Sequence, residues 1–108
     1  MHSYIEDSLN EWKEDISKVL DQINQDYEEV KRELQVYTYK YGITKQVIQS
    51  TVNDGIIETI REQYHRPFEE KYNELKGSIR DLEEKRKVFQ MFVHKIDEVC
   101  RKGAAKTV

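Results

Sequence analysis

Apolar residues recur at spacings of three and four along almost the whole chain. One stripe runs from Ile5 to Val52 and a second runs from Ile57 to Cys100. Such spacings average the 3.5-residue repeat of coiled coils, so each stripe predicts one long amphipathic helix. Between the stripes lies Asn53-Asp54-Gly55, whose residue types favour a turn. We therefore predict an all-α fold: a long antiparallel helical hairpin, coiled-coil-like, that turns at residues 53–55.

The position of the turn also predicts which aromatic residues face each other. When the chain is folded at Asp54, facing residues have numbers that add up to 108 or 109. This rule places Tyr37 opposite Tyr72 and Tyr41 opposite Phe68. We expect these rings to form a locally wide core.

Gly42 and Pro67 interrupt the helical pattern at one level of the predicted hairpin. Proline removes a backbone donor and clashes with the preceding helical turn, and glycine weakens a helix interior. We expect a bend here, about which the tip at residues 43–66 swings as a unit. The alternative is a three-helix bundle, in which both residues are true boundaries and the helices cover residues 3–41, 44–65 and 67–102.

Two side chains near the predicted bend are expected to be exposed. Tyr39 and His65 both lie off the apolar stripes, whereas Tyr64 lies on one. Together with Gly42 and Pro67, Tyr39 and His65 form the predicted interaction site at the bend and tip.

The apolar stripe widens towards the two ends of the chain, beyond what a contact between two helices needs. A wider stripe needs a third surface, so we predict a homodimer that forms a four-helix bundle, or a partner helix in the same groove. The expected dimer surface consists of Val19, Val88, Met91, Phe92 and Val99.

Two further positions have predicted structural roles. Arg86 falls on the second stripe, where its stem can lie along the core while Asp26 receives its charged head. A polar residue at such a position fixes register or partner choice. Trp12 falls on the first stripe and is expected to be a core anchor.

Composition narrows the possible partners. Of the 108 residues, 37% are hydrophobic and 36% are charged, and the net charge is −3 with both signs interleaved. No basic face suggests nucleic acid, and no apolar run suggests a membrane span. A single cysteine, Cys100, is compatible with a reducing, cytoplasmic location. We expect one domain at residues 1–103, with its last helix ending near Lys102 and Gly103 as the C′ residue, and a flexible tail at 104–108.

Candidate chemistry is sparse. Glu62 and His65 have the Glu-x-x-His spacing of di-iron bundles, but such sites need a second copy and facing carboxylates, which the sequence lacks. We expect no metal, no cofactor and no catalytic activity.

The predicted function is a non-catalytic protein–protein interaction or assembly module, a self-associating adaptor that docks a partner protein. Two alternatives remain. Length and a central turn resemble the small exported helical hairpins whose turn carries Trp-x-Gly, a motif that Asn53-Asp54-Gly55 replaces here. The chain can also be a coiled-coil fragment of a larger structural protein.

Overall fold

A computed structural model describes residues 3–106, and these residues are helical apart from one short connection. Helix α1 spans Ser3–Gln49. The second arm consists of α2 at Asp54–Ile60, a π-helix at Arg61–His65 and α3 at Arg66–Lys106. No strand occurs among the described residues. The all-α prediction is therefore confirmed.

Gly42 does not end a helix. It lies inside α1, and a Cβ atom built on it would meet nothing within 4 Å. The three-helix alternative, which needs a boundary at this residue, is therefore wrong. The cost of a single glycine, about 1 kcal/mol, is small beside the gain of a helix that continues on both sides of it.

The connection between the arms is residues 50–53, not the predicted turn at 53–55. Asn53 is the N-cap of α2, and its side-chain oxygen accepts a hydrogen bond from the Ile56 backbone N–H at 3.1 Å. Asp54 and Gly55 consequently lie in the first helical turn. An N-cap asparagine satisfies one of the otherwise unpaired donors at a helix start, which explains why the helix begins here.

The π-helix lies immediately before Pro67. The Arg66 backbone N–H donates a hydrogen bond to the Arg61 carbonyl, five residues earlier, which is the spacing of a π-helix. Proline clashes with the turn that precedes it in an ordinary α-helix, and a wider π turn gives its ring room. The second arm therefore passes Pro67 without a break.

The last helix also continues further than predicted. It passes through Gly103 and reaches Lys106, so Gly103 is not a C′ residue ending a helix at Lys102. No described glycine has a positive φ angle, the conformation a C′ glycine usually adopts. The domain at residues 1–103 and the tail at 104–108 stay predictions, and residues 107 and 108 lie outside the described residues.

The chain divides into two compact units. The terminal unit contains the residues up to Asp26 and those from Leu82 onwards, and the central unit is Tyr27–Asp81. Each unit contains part of α1 and part of the second arm. Few side chains are buried in either unit. They are Ile16, Ile23 and Ile96 in the terminal unit, and Thr44 and Leu75 in the central unit.

Replacement of Leu75 by alanine should destabilise the protein strongly. Leu75 is only 4% exposed, so its removal leaves a cavity and should lower the free energy of unfolding by about 2–5 kcal/mol. Leu34→Ala is the matched control, because Leu34 is half-buried and should cost less. Urea denaturation measures both losses. An equal loss at the two positions would contradict this account of the core.

Candidate interaction surfaces

Three stacked rings form the centre of the central unit. Tyr41 of α1 lies between two rings of the second arm, with its ring centroid 5.1 Å from that of His65 and 5.2 Å from that of Tyr72. The interplanar angles are 20° and 13°. A stacked pair of aromatic side chains such as Tyr41 and Tyr72 adds about 0.5–1.5 kcal/mol beyond the burial of its area. The aromatic stack is defined here as Tyr41, His65 and Tyr72.

The predicted ring partners are exchanged. Tyr37 contacts Phe68, at 6.0 Å between centroids, whereas Tyr41 contacts Tyr72. A long side chain leaves a helix at an angle and covers the neighbouring turn, so contacts between rings do not follow Cα levels alone. The pairing of Tyr41 with Phe68 and of Tyr37 with Tyr72 is therefore wrong.

The π-helix explains why His65, not Tyr64, faces α1. Ile60 is half-buried, and the next inward side chain comes five residues later, because a π turn contains one residue more. The His65 side chain is 15% exposed, whereas Tyr64 is 52% exposed. The expectations that His65 is exposed and that Tyr64 lies on the seam are both wrong.

Hydrogen bonds fix the orientation of the His65 ring. The Thr44 hydroxyl lies 2.9 Å from the Tyr41 carbonyl oxygen and 2.8 Å from Nδ1 of His65, so it hydrogen-bonds with both groups. The other nitrogen, Nε2, lies 3.6 Å from the Glu69 carboxylate. The buried Thr44 side chain therefore has two hydrogen-bond partners, the Tyr41 carbonyl and the His65 ring.

The Tyr41 hydroxyl is also held in this cluster. Burial raises the pKa of Tyr41, and the nearby charge of Glu69 and a hydrogen bond to its carboxylate raise this pKa further. Glu69 thus faces both Tyr41 and His65. Polar contacts of this kind fix the position of the stack between the arms.

The four residues predicted as the bend and tip site differ in exposure. Tyr39 is 74% exposed, as expected for a residue off the seam, and Pro67 is exposed as well. Gly42 is half-buried, and His65 points into the aromatic stack. A binding role for Tyr39 and Pro67 stays a prediction, and His65 belongs to the packing of the central unit.

The terminal unit exposes an apolar surface. Its members on α3 form the larger group, and the Trp12 ring of α1 joins them through a contact with Phe92 at 5.7 Å. Trp12 is half exposed and is not the core anchor that was expected. The surface, called the terminal face here, consists of Ile5, Trp12, Val19, Val88, Met91, Phe92 and Val99. All five residues of the predicted dimer surface are thus exposed; their role in a dimer stays a prediction.

The terminal unit also contains ion pairs. Lys13 of α1 and Asp97 of α3 are 2.6 Å apart, which ties the two arms within this unit. Glu98 contacts Lys102 at 3.1 Å and Lys95 at 3.5 Å. The hydrogen bond from Lys102 and the charge of Lys95 hold the pKa of the Glu98 carboxyl below its usual range.

The predicted register residues Arg86 and Asp26 are both half-buried. Arg86 is half-buried, as expected for a stem that lies along apolar surface. Asp26 accepts a hydrogen bond from the Gln22 amide at 2.9 Å. The pairing of Arg86 with Asp26 stays a prediction.

A second exposed apolar surface lies in the central unit, and the sequence patterns did not identify it. Its α1 part contains Val36, Ile43 and Val47, and its second-arm part contains Ile56 and Tyr64. The sequence does contain a pattern for this surface, because these α1 residues are spaced seven and four apart. The longer apolar stripe that faces the second arm obscures this pattern. This surface is called the tip face below.

Groups that could support chemistry have other partners. Glu62 pairs with Arg66 at 2.8 Å, and both nitrogens of His65 face Thr44 and Glu69. Among residues 3–106 no three His, Cys, Asp or Glu side chains come together as a metal site would require. In the same part of the chain, no helix is apolar over a length that would cross a bilayer.

Comparisons with protein-family models, with curated protein sequences and with solved structures find no match to this chain.

The raised pKa of Tyr41 predicts a pH dependence of stability. Below pH 10 the phenol is neutral in both the folded and the unfolded chain. As the pH rises through 10, the unfolded chain loses this proton first, so the free energy of unfolding should fall. Tyr41→Phe should make the fall between pH 9 and pH 11 shallower, because it removes the group whose pKa is raised in the folded chain. Exposed Tyr39 gives the control: a Tyr39→Phe variant with the same shallower slope would contradict the assignment.

Proposed function

We propose that the chain is a non-catalytic interaction module: a coiled-coil-like helical hairpin that self-associates through the terminal face and docks a further protein as an adaptor. The observation that carries this proposal is the terminal face itself. It places seven large apolar side chains at the surface of one unit. Exposed apolar side chains that cluster in one part of a protein mark interaction sites, whereas single exposed apolar residues are ordinary.

The spacing on α1 favours another helix as the covering surface. Ile5, Trp12 and Val19 are seven residues apart, and Phe92 and Val99 on α3 repeat the same interval. Side chains at a seven-residue interval stay on one side of a helix that packs against a second helix. Two copies that meet through this face would make a four-helix bundle of their terminal units.

Charges beside the face favour one arrangement of the two copies. On α1, Asp15 lies three residues after Trp12 and four before Val19. On α3, Lys95 holds the equivalent place four residues before Val99. A two-fold dimer that sets α1 against α3 brings Asp15 towards Lys95 of the partner subunit, twice per dimer. Opposite charges at the rim of an interface fix its register.

Contacts in the central unit support the hairpin itself. Glu33 of α1 lies 3.7 Å from Lys71, and Thr44 of α1 contacts His65. Later residues of α1 therefore meet earlier residues of the second arm. The same hairpin, with Cys100 free, is compatible with a reducing compartment such as the cytoplasm.

An acidic residue in the terminal face should split the dimer. Val99→Asp should raise the dissociation constant more than about tenfold, because the new carboxylate would be buried without a partner. Val36→Asp is the matched control, since both valines are 50% exposed and Val36 lies in the other unit. Sedimentation velocity over a dilution series measures both. Equal effects of the two variants, or none at Val99, would refute the dimer surface.

Charge reversal tests the arrangement of the copies. Asp15→Lys and Lys95→Asp should each weaken the dimer about threefold to tenfold at low salt, and the double variant should restore it. Circular dichroism checks that helix content is unchanged in each variant. A dimer that Asp15→Lys strengthens would instead place two α1 helices against each other and contradict the proposed arrangement.

A further inference from the structure

The tip face of the central unit has the form of a helix-docking surface. On α1, Val36, Lys40, Ile43 and Val47 follow each other at spacings of four, three and four, so they share one side of the helix. Val36, Ile43 and Val47 are exposed, although valine and isoleucine are residue types that are usually buried. This side of α1 differs from the side that carries Tyr41 and Thr44, which contact the second arm.

The second arm contributes the other edge of the same face. Tyr64 and Ile56 are exposed, and Ile60, midway between them, is half-buried. The Tyr64 ring lies 6.3 Å from Phe68, and the Lys40 ammonium lies 5.6 Å from the centre of that same Phe68 ring. Lys40 therefore connects the α1 stripe to the aromatic edge on the second arm.

Lys40 decides which partner fits. Its Nζ atom lies over the Tyr37 ring at 4.8 Å as well as over Phe68, so two rings hold an ammonium group among apolar side chains. Any surface that covers the tip face removes water from this charge. A buried ammonium is costly unless an anion pairs with it, so a partner must bring a carboxylate to this point.

The surrounding sequence strengthens this requirement. Residues 34–53 contain no aspartate or glutamate, and their two charged residues are Lys40 and Lys45. The whole chain, by contrast, has 21 acidic and 18 basic residues. On the α1 side of the tip face, Lys40 thus carries a charge that no acidic residue of the same segment offsets, which favours an acidic partner.

We propose that the tip face docks an amphipathic helix of another protein that carries a carboxylate in the middle of its apolar stripe. Apolar residues of that helix, at intervals of three and four, pack on Val36, Ile43, Val47 and Tyr64, and its carboxylate pairs with Lys40. A helix is favoured over an anionic lipid surface because two lysines supply little attraction to a membrane, at about 1 kcal/mol each. This proposal concerns the central unit and does not depend on self-association through the terminal face.

Two synthetic helical peptides of equal length test the proposal. Both carry leucines at intervals of three and four, and they differ in one central residue of the apolar stripe, glutamate in one and lysine in the other. Fluorescence anisotropy with the full chain should show that the glutamate peptide binds at least about tenfold more tightly. Equal affinities, or binding of neither peptide, would overturn the proposal.

Charge exchange identifies the residue responsible. Lys40→Glu should reverse the preference, so that the lysine peptide binds more tightly. Lys45→Glu is the control, because Lys45 lies nine residues after Val36 and therefore on the opposite side of α1. A preference that Lys45→Glu reverses equally well would overturn the assignment to Lys40.

Two further measurements distinguish the proposed partner helix from a lipid surface and from a second copy of the chain. Full-chain binding to phosphatidylserine vesicles that Ile43→Asp abolishes would overturn the proposal in favour of a lipid surface. A dimer that dissociates in the same Ile43→Asp variant would overturn it in favour of a second copy. With Ile43→Asp, we expect an unchanged oligomeric state and loss of binding to the glutamate peptide. Failure of the dimer proposal would leave this result unchanged.

Discussion

Each helix of this protein buries side chains on one of its sides, and the rest of the structure depends on this constraint. In each unit a stretch of α1 packs against a stretch of the second arm. Each helix therefore has one helical neighbour, and the side that faces this neighbour is shielded from water. Five side chains among residues 3–103, the part of the chain whose burial is described, are buried, namely Ile16, Ile23, Thr44, Leu75 and Ile96. Apolar side chains beyond that narrow contact remain exposed. The terminal face and the tip face are both consequences of this geometry, and both gain stability when another surface covers them.

The π-helix shows how one local feature sets the packing of a whole unit. Pro67 favours a wider turn before it, and the extra residue in that turn changes which side chain faces α1. His65 is brought inward, where Thr44 and the stacked ring of Tyr41 receive it. Tyr64 is turned outward and becomes part of the tip face. The π-helix before Pro67 therefore determines both the position of His65 in the aromatic stack and the exposure of Tyr64 next to it.

The sequence predicted the helical content and the apolar side of each arm, because periodicity of three and four repeats over many turns. It did not predict the π-helix, since the step from Ile60 to Tyr64 also fits an ordinary helical turn. The turn was placed at residues 53–55 because asparagine, aspartate and glycine all favour turns. The hydrogen bond from the Ile56 N–H to the Asn53 side chain shows instead that Asn53 caps α2 and that Asp54 and Gly55 are helical. Ring partners could not be read from residue numbers, because long side chains reach along the neighbouring helix. Five exposed residues of the terminal face were expected outside the two-helix contact, since a stripe wider than one helix contact must leave some members uncovered: Val19, Val88, Met91, Phe92 and Val99. The exposure of Trp12, which was expected in the core, was not predicted.

The most direct test of the central claim, that the terminal face is covered by a second copy, is the mass of the unmodified chain in solution. Sedimentation equilibrium at several concentrations gives this mass independently of molecular shape. The chain has a mass of 13.0 kDa, and the account predicts a species of twice that mass that dissociates on dilution. A mass of 13.0 kDa at every concentration up to the millimolar range would contradict it.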